Sequence, residues 1–229
     1  MEKVLSIIIP VYNESFWLKK SLPGIFDLPI KKEIIIVDDG SRDDSAEIVN
    51  MLKKDYSFKF IQHKNNKGKG AALRSGIKEM TGDYFLACDA DKEYSPEDIA
   101  KLFAIAKEKN QTEQKIVVYG SRFLNNKSFS FHYFINKFLT LLTNILFKTQ
   151  LSDMETCYKL IPKKIIDTIE LESNGFEIEP EITAQIIKKG FFIIEEPISY
   201  NRRSYKEGKK IKARDGLLAI KMLIKQKLN

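Results

Sequence analysis

Four short segments whose apolar residues run continuously, with no alternation, constrain the fold of this chain more than any other feature: Val4–Pro10, Glu33–Val37, Tyr84–Cys88 and Lys115–Tyr119. A strand that is apolar on both faces must be covered on both faces, as in an open parallel sheet. Phe58–Gln62 is a weaker fifth strand. Helical periodicity fills the gaps at Phe16–Phe26, Asp43–Lys54, Gly70–Met80 and Pro96–Lys109. The last of these has Ser95 as N-cap, Pro96 at its first position, and Glu97 and Asp98 in its first turn. Strand and helix alternate over the first 120 residues, which predicts an α/β fold with a mostly parallel sheet flanked by helices.

The rhythm then changes. Ser128–Gln150 reads as a long aromatic and aliphatic helix, Asp153–Ile161 as a short extended piece, Phe176–Lys189 as a helix, Phe191–Glu195 as a strand and Lys212–Leu228 as a basic terminal helix. No Pro/Gly/Ser linker divides the two stretches and no internal repeat is visible. One domain over residues 1–229, with a C-terminal helical elaboration, is the expectation.

Composition limits the function classes. Two cysteines, Cys88 and Cys157, allow neither a disulfide framework nor a multi-cysteine zinc site, and point to a reducing cytosol. No apolar run reaches the roughly 18 residues of a spanning helix, and the N-terminus enters a strand pattern with no room for a signal peptide. Of the net charge of +7, residues 202–229 carry +8 (ten Lys and Arg against two acids), leaving −1 for the rest. A near-neutral body with a basic end suggests an anionic surface or a phosphate, not nucleic acid.

In open parallel sheets, ligands bind beyond the carboxyl ends of the strands. Those ends read Pro10-Val11-Tyr12-Asn13-Glu14, Asp38-Asp39-Gly40-Ser41-Arg42-Asp43, Asp89-Ala90-Asp91-Lys92-Glu93 and Gly120-Ser121-Arg122. Asp89 and Asp91 stand two residues apart in an extended segment, so their side chains point the same way. Two such carboxylates beside Glu93 repel one another unless a cation sits among them. Oxygen-only ligands select Mg²⁺ or Mn²⁺, ions that pair few carboxylates with substrate phosphates. The expected substrate is therefore a diphosphate. A P-loop is absent, and Gly68 and Gly70 do not continue as Gly-x-Gly-x-x-Gly because position 73 is Leu73. Lys67 and Lys69 in that loop read equally well as phosphate contacts or as a solvated charge run.

Ile9-Pro10-Val11-Tyr12-Asn13-Glu14, Val37-Asp38-Asp39-Gly40-Ser41, Gly68-Lys69-Gly70-Ala71-Ala72 and Asp89-Ala90-Asp91, in that order, resemble the family-2 glycosyltransferases of the GT-A, Rossmann-like fold. Gly120-Ser121-Arg122-Phe123, Asp153-Met154-Glu155-Thr156-Cys157-Tyr158-Lys159 and Tyr200-Asn201-Arg202-Arg203 through Gly208-Lys209-Lys210 are similar to the polyprenyl-phosphate branch, which includes dolichyl-phosphate mannose synthases. The resemblance implies an inverting, metal-dependent transfer of a hexosyl group from a nucleotide diphosphate sugar, a UDP-sugar or GDP-mannose, to polyprenyl or dolichyl phosphate. It implies that residues 1–120 bind the nucleotide sugar and 121–229 face acceptor and membrane. Pro10, Tyr12, Glu14, Asp39 and Lys67 would hold base and ribose. Asp89, Asp91 and Glu93 match metal positions, although Glu93 stands where mannose synthases often carry Gln. Arg122, Arg203 and Lys210 match basic positions around the donor diphosphate and acceptor phosphate, and Tyr200–Lys212 would close over the donor. The form Gly68-Lys69-Gly70-Ala71 tilts the donor toward UDP.

Many members of that branch continue into transmembrane helices, whereas this sequence stops at Asn229, so a lipid acceptor is expected to be met peripherally, at the cytoplasmic face of an anionic membrane. Phe129–Gln150 has twelve apolar residues in 22 and no acid, with Phe134, Phe138, Leu141 and Ile145 in one stripe and Ile135, Leu139, Leu142 and Leu146 beside it. This pattern suits either a core helix or a membrane face. In the terminal helix Leu217, Ile220 and Ile224 share one face, and Arg214, Lys221 and Lys225 another. A lipid phosphate arrives ionised and needs little help from a base. A glycan hydroxyl acceptor, the alternative, would need a carboxylate, and Asp153 heads Glu155, Glu179 and Glu181 as candidates. Glu179 and Glu181 are equally explained as helix-terminus charges. A catalytically silent nucleotide-sugar-binding module is the remaining alternative. Cys88 reads as an apolar filler, His63 and His132 lack metal-ligand spacing, and Trp17 reads as packing.

Overall fold

The computed structural model describes residues 2–113, 115–124, 131–203, 210 and 213–228. The start of the expected long helix (128–130) and most of the expected closing loop (204–209 and 211–212) lie outside the described residues.

Among the described residues seven strands form one sheet: β1 (Leu5–Val11), β2 (Lys32–Asp38), β3 (Lys59–Gln62), β4 (Tyr84–Ala87), β5 (Ile116–Ser121), β6 (Lys159–Pro162) and β7 (Phe192–Pro197), in the order β3-β2-β1-β4-β6-β5-β7. Parallel pairing sets Ile7 against both Ile34 and Leu86, Val37 against Ile61, and Val118 against Ile194. The continuous apolar runs are explained by burial: Leu5, Ile7, Ile8, Ile9, Ile35, Ile36, Val37, Phe85 and Leu86 all lie inside the main core. The helices are α1 (Ser15–Phe26), α2 (Ser45–Leu52), α3 (Lys69–Glu79), α4 (Pro96–Lys109), α5 (Phe131–Phe147), α6 (Lys163–Ile166), α7 (Ile178–Lys188) and α8 (Ala213–Leu228). α4 has the expected bounds, with Pro96 at its start and acids in its first turn.

The sheet departs from expectation at β6. The segment read as a short extended piece continues into a strand that inserts antiparallel between β4 and β5, pairing Phe85 with Ile161 and Val118 with Leu160. β5 is therefore no neighbour of β4; it stands two strand spacings away, about 9–10 Å. The short α6 that follows was not expected either.

A second, smaller core joins α5 to α8 through Leu139, Leu151, Met154, Ala219 and Leu223. Of the two stripes of α5, Ile135, Leu139, Leu142 and Leu146 pack into this core, while Phe134, Phe138, Leu141 and Ile145 are exposed. On α8, Ala219 and Leu223 are buried and Ile220 packs beside them, whereas Leu217 and Ile224 are exposed. The expected apolar face is thus split, with Ile220 against this core and Leu217 and Ile224 outside it. Among the described residues no helix is long and apolar enough to cross a membrane.

Candidate functional site

The loops at the strand ends are laced to one another before any ligand is considered. Asn13, at φ +49°, donates its backbone N–H to Ser41 Oγ (2.9 Å) and accepts from the Arg42 N–H at Oδ1 (2.8 Å). The Glu14 N–H donates to Ser45 Oγ at 2.9 Å. Asp39 accepts the backbone N–H groups of Lys67 (2.9 Å) and Gly68 (2.7 Å), and lies 2.6 Å from His63 Nδ1. These bonds stitch the β1, β2 and β3 ends into one rim. The glycines of the Gly68-Lys69-Gly70 sequence have a steric reason. Gly68 sits at φ +101°, and a Cβ on it would stand 2.2 Å from the Asn174 carbonyl oxygen; one on Gly70 would stand 2.3 Å from that of Ser173. Only glycine lets the start of α3 lie against the 173–176 segment that leads into α7.

A cavity of about 620 Å³ opens over this rim. Its wall takes Pro10 to Glu14 from the end of β1, Asp39 from β2, Gly68 and Lys69 from the start of α3, and Asp89, Ala90, Asp91 and Glu93 from the end of β4. Gly175 and Phe176, Arg203, Lys210 and the first turn of α8 (Arg214 and Asp215) complete it. Of the expected site residues, Pro10, Tyr12, Glu14, Asp39, Asp89, Asp91, Glu93, Arg203 and Lys210 therefore meet on one surface.

The acids of the cavity are shared among its cations. Arg203 forks between Glu14 Oε2 (3.1 Å) and Asp91 Oδ2 (2.5 Å), and its backbone N–H donates to Glu93 Oε1 (2.7 Å). Lys210 donates to Glu14 Oε1 (2.5 Å) and to the Tyr12 carbonyl. Lys69 stands 2.8 Å from Asp89 Oδ1 and 3.2 Å from Glu179 Oε1, and the other oxygen of Glu179 accepts from the buried Lys159 ammonium. Burial opposes the charge on Asp89, but Lys69 outweighs it and holds that carboxyl below its usual range. Asp91 goes the other way. Burial, then the charges of Asp89 and Glu93, push it up to about 7 against the pull of Arg203.

That imbalance bears on a divalent ion. Asp91 sits among more negative charge than its neighbours neutralise, and its donor atoms are hard oxygens, the set that suits Mg²⁺ or Mn²⁺. Among the described residues no group of three or more His, Cys, Asp and Glu side chains is gathered as a cage. Two carboxylates with open space beside them fit an ion that takes its remaining oxygens from a bound phosphate.

Three expected site residues are not on the cavity wall. Lys67 is exposed and contributes its backbone N–H to Asp39. Arg122 and Asp153 hold each other: Nε donates to Oδ2 and Nη2 to Oδ1, each at 2.7 Å, and the Arg122 backbone N–H adds a 3.0 Å bond. Both oxygens of Asp153 are thereby occupied. β6 separates β5, which ends beside Arg122, from β4, whose end leads to Asp89, Asp91 and Glu93. Conversely, Lys69 and Glu179 are more central than their sequence context suggests. The Gly-Lys-Gly spacing was the available signal for Lys69; Glu179 was expected only as a candidate base or a helix-terminus charge, because its partners Lys69 and Lys159 are far away in sequence. Glu181, its companion at the helix start, instead accepts the Glu172 and Ser173 backbone N–H groups. Burial pushes the Cys88 thiol up to about 12, in keeping with an inert filler.

Comparison with known proteins places this geometry in context. The model of Glycosyl transferase family 2 matches residues 6–170. Dolichol-phosphate mannosyltransferase of Pyrococcus furiosus is 28% identical over 214 residues, covering 90% of this chain and 58% of that protein. Undecaprenyl-phosphate 4-deoxy-4-formamido-L-arabinose transferase of Pseudomonas savastanoi pv. phaseolicola is 38% identical over 116 residues, covering 46% and 33%. Poly-beta-1,6-N-acetyl-D-glucosamine synthase of Staphylococcus epidermidis is 41% identical over 88 residues, covering 38% and 21%. The chain thus spans from 21% to 58% of the length of these relatives. Glucosyl-3-phosphoglycerate synthase from Mycobacterium tuberculosis, solved with Mn²⁺, UDP and phosphoglyceric acid, superposes with a TM-score of 0.73 at 14% identity, covering 98% of this chain and 78% of that one. The same enzyme with Mg²⁺ and UDP gives 0.70 at 13% identity, covering 98% and 79%. At such identities the likeness is one of fold.

Proposed function

The chain belongs to glycosyl transferase family 2, and on that premise we propose that it moves a hexosyl group from a nucleoside diphosphate sugar to polyprenyl phosphate, with a divalent cation at the cavity. The observation that carries this reading is the convergence of Glu14, Asp89, Asp91 and Glu93 with Lys69, Arg203 and Lys210 on one wall at the carboxyl ends of β1, β2 and β4. Such a wall suits a metal diphosphate: carboxylates for the ion, ammonium and guanidinium groups for the phosphates.

Asp89 and Asp91 would hold Mg²⁺ or Mn²⁺, with Glu93 beside them. The ion, when bound, supplies shielding of the charge that grows on the departing diphosphate. Arg203 and Lys210 leave their carboxylate partners for the phosphates, adding to that stabilisation where charge develops. Pro10, Tyr12 and Asp39 form the end of the cavity that takes base and ribose, and Asp39 does so indirectly, by fixing the Lys67 and Gly68 backbone. The acceptor attacks the face of the sugar opposite the diphosphate, and the anomeric centre inverts.

The state of Asp153 favours a phosphate acceptor over a hydroxyl. A general base must be within reach of the proton it takes, and Asp153 is fully buried and turned to Arg122 through both oxygens. A phosphate already ionised at neutral pH needs no such base. For the acceptor half of the reaction, Phe134, Phe138, Leu141 and Ile145 on α5 are 56–67% exposed. With Lys221 and Lys225 on neighbouring α8, they would rest on the anionic cytoplasmic face of a membrane without crossing it.

The direct test incubates the protein with Mn²⁺, labelled UDP- and GDP-sugars, and polyprenyl phosphate in anionic vesicles. Label in the organic phase supports the proposal, and label in a water-soluble glycan transfers the case to a hydroxyl acceptor. Nucleotide binding without turnover of any donor leaves a binding module.

A further inference from the structure

We infer that Glu179 is a positioning residue of the cation-binding edge of the cavity: by sharing Lys69 with Asp89, it keeps that lysine from neutralising Asp89 outright. Four charges of alternating sign run from the core to the cavity. Side-chain exposure rises along them from 1% at Lys159 to 5% at Glu179, 11% at Lys69 and 28% at Asp89. Three separate elements supply the inner members: β6 gives Lys159, α7 gives Glu179 and α3 gives Lys69. Lys159 is also satisfied by the Thr156 carbonyl. Lys69 has two carboxylates within reach, at 2.8 Å on Asp89 and 3.2 Å on Glu179.

The consequence is electrostatic. A buried ammonium held between two carboxylates commits part of its attraction to each, and the share given to Glu179 is withheld from Asp89. Without the charge on Glu179, Lys69 would keep Asp89 as its one close carboxylate among the described residues, beside the Cys157 sulfur at 3.7 Å. Asp89 would then be a poorer ligand for any ion that competes with Lys69. A purely structural salt bridge between α7 and β6 would need only Lys159 and Glu179; the extension to Lys69 and Asp89 links α7 to the cavity.

The inference rests on the divalent-cation reading above, and the experiment separates the two. Mn²⁺ binding is followed by electron paramagnetic resonance, with UDP or GDP present, for the wild type, Glu179→Gln, Lys69→Gln and the double substitution. Loss of a charge that orients a ligand weakens metal binding by about tenfold, and that is the expectation for Glu179→Gln alone. In the Lys69→Gln background the same change should have no further effect, because Glu179 acts through Lys69. Circular dichroism melts establish that the variants are folded. If Glu179→Gln does not fold, Lys159→Met combined with Glu179→Gln removes the deep pair in balance and asks the same question. Unchanged Mn²⁺ affinity in Glu179→Gln, or an equal loss with and without Lys69, overturns the positioning role. A wild type that binds no Mn²⁺ overturns the cation reading itself.

Discussion

Two buried ion networks in this molecule use the same residue types and come to opposite ends. Around the cavity, Arg203 divides itself between Glu14 and Asp91, Glu14 also takes Lys210, and Asp91 is left with its carboxyl pushed up to about 7. Beyond the end of β5, Arg122 and Asp153 form a closed bidentate pair in which both carboxylate oxygens accept from the guanidinium. The first network has more acid than its cations neutralise and opens onto solvent space; the second is saturated and shut. Ion pairs that can be exchanged for a ligand's charges belong to a binding site, whereas a saturated pair belongs to the scaffold. On this view Asp91→Asn and Asp153→Asn, identical in chemistry, should differ in kind.

Asp91→Asn has the largest effect and should fall on activity alone. Removing this carboxylate should lower kcat/KM on the order of 10³-fold, about 4 kcal/mol in the barrier. Stability should not suffer. An acid whose pKa is raised in the fold binds protons more tightly folded than unfolded, so its ionisation costs stability as pH rises from the unfolded value of 3.8 toward 7. The amide removes that cost, and thermal melts at pH 8 should match or exceed the wild type. Asp153→Asn should reverse the pattern: about 3 kcal/mol of stability lost, because Arg122 is left buried and charged, with activity per folded molecule little changed. Normal stability with lost turnover in Asp153→Asn would make Asp153 a base and break the distinction.

Glu155 feels the charges of the closed pair and of Lys159 and Glu179, and its titration tests how that buried side of the molecule responds to pH. Burial is the main cause that pushes its carboxyl from 4.5 to about 7; the charges of Lys159 and Arg122 oppose this, and those of Glu179 and Asp153 add to it. The folded state therefore holds a proton that the unfolded state releases between pH 4.5 and 7. Across that window this residue makes stability fall with rising pH. Glu155→Gln should flatten the slope and gain about 2 kcal/mol at pH 8, allowing for screening of a partly exposed side chain. Chemical denaturation at pH 5 and pH 8 measures it, and an unchanged slope would place the pH dependence elsewhere.

How much of this was legible in the sequence follows from which interactions are local. Continuous apolar runs such as Val4–Pro10 announced buried strands because burial on both faces acts residue by residue. The start of α4 was written in Pro96 and the acids behind it, although the Ser95 hydroxyl turns to Glu97 and makes no cap bond. The carboxylates at the end of β4 were legible because strand ends in such sheets face one way. The β6 insertion was not. Whether Lys159–Pro162 pairs with β4 or lies beyond β5 depends on tertiary packing, and nothing in four residues encodes it. That one unread strand stands between β4 and β5, the strand that leads to Arg122. The pairing of Glu179, named from the sequence only as a candidate base or a helix-terminus charge, was unreadable for a related reason: its charge partners come from α3 and β6, 110 and 20 residues earlier in the chain.

The smallest effect belongs to Lys210, and it tests the exchangeable network from its exposed side. Its side chain is 33% exposed and paired with Glu14 at 2.5 Å. A partly solvated pair of this kind contributes little to folding, because water and salt screen it, so Lys210→Gln should change stability by less than about 1 kcal/mol. Its contribution to donor binding should be larger than that. Once Arg203 and Lys210 turn to a diphosphate, the loss of one charge-assisted bond costs about 1.5 kcal/mol, close to tenfold in donor affinity. The loss should shrink for the nucleoside monophosphate, which presents less charge to the wall. Isothermal titration with UDP, GDP and their monophosphates in the presence of Mn²⁺ reads this out. Equal losses for diphosphate and monophosphate would mean that Lys210 only holds the β1 end in place. It would then behave like Arg122, and the line between the exchangeable and the closed networks would have to be redrawn around Arg203 alone.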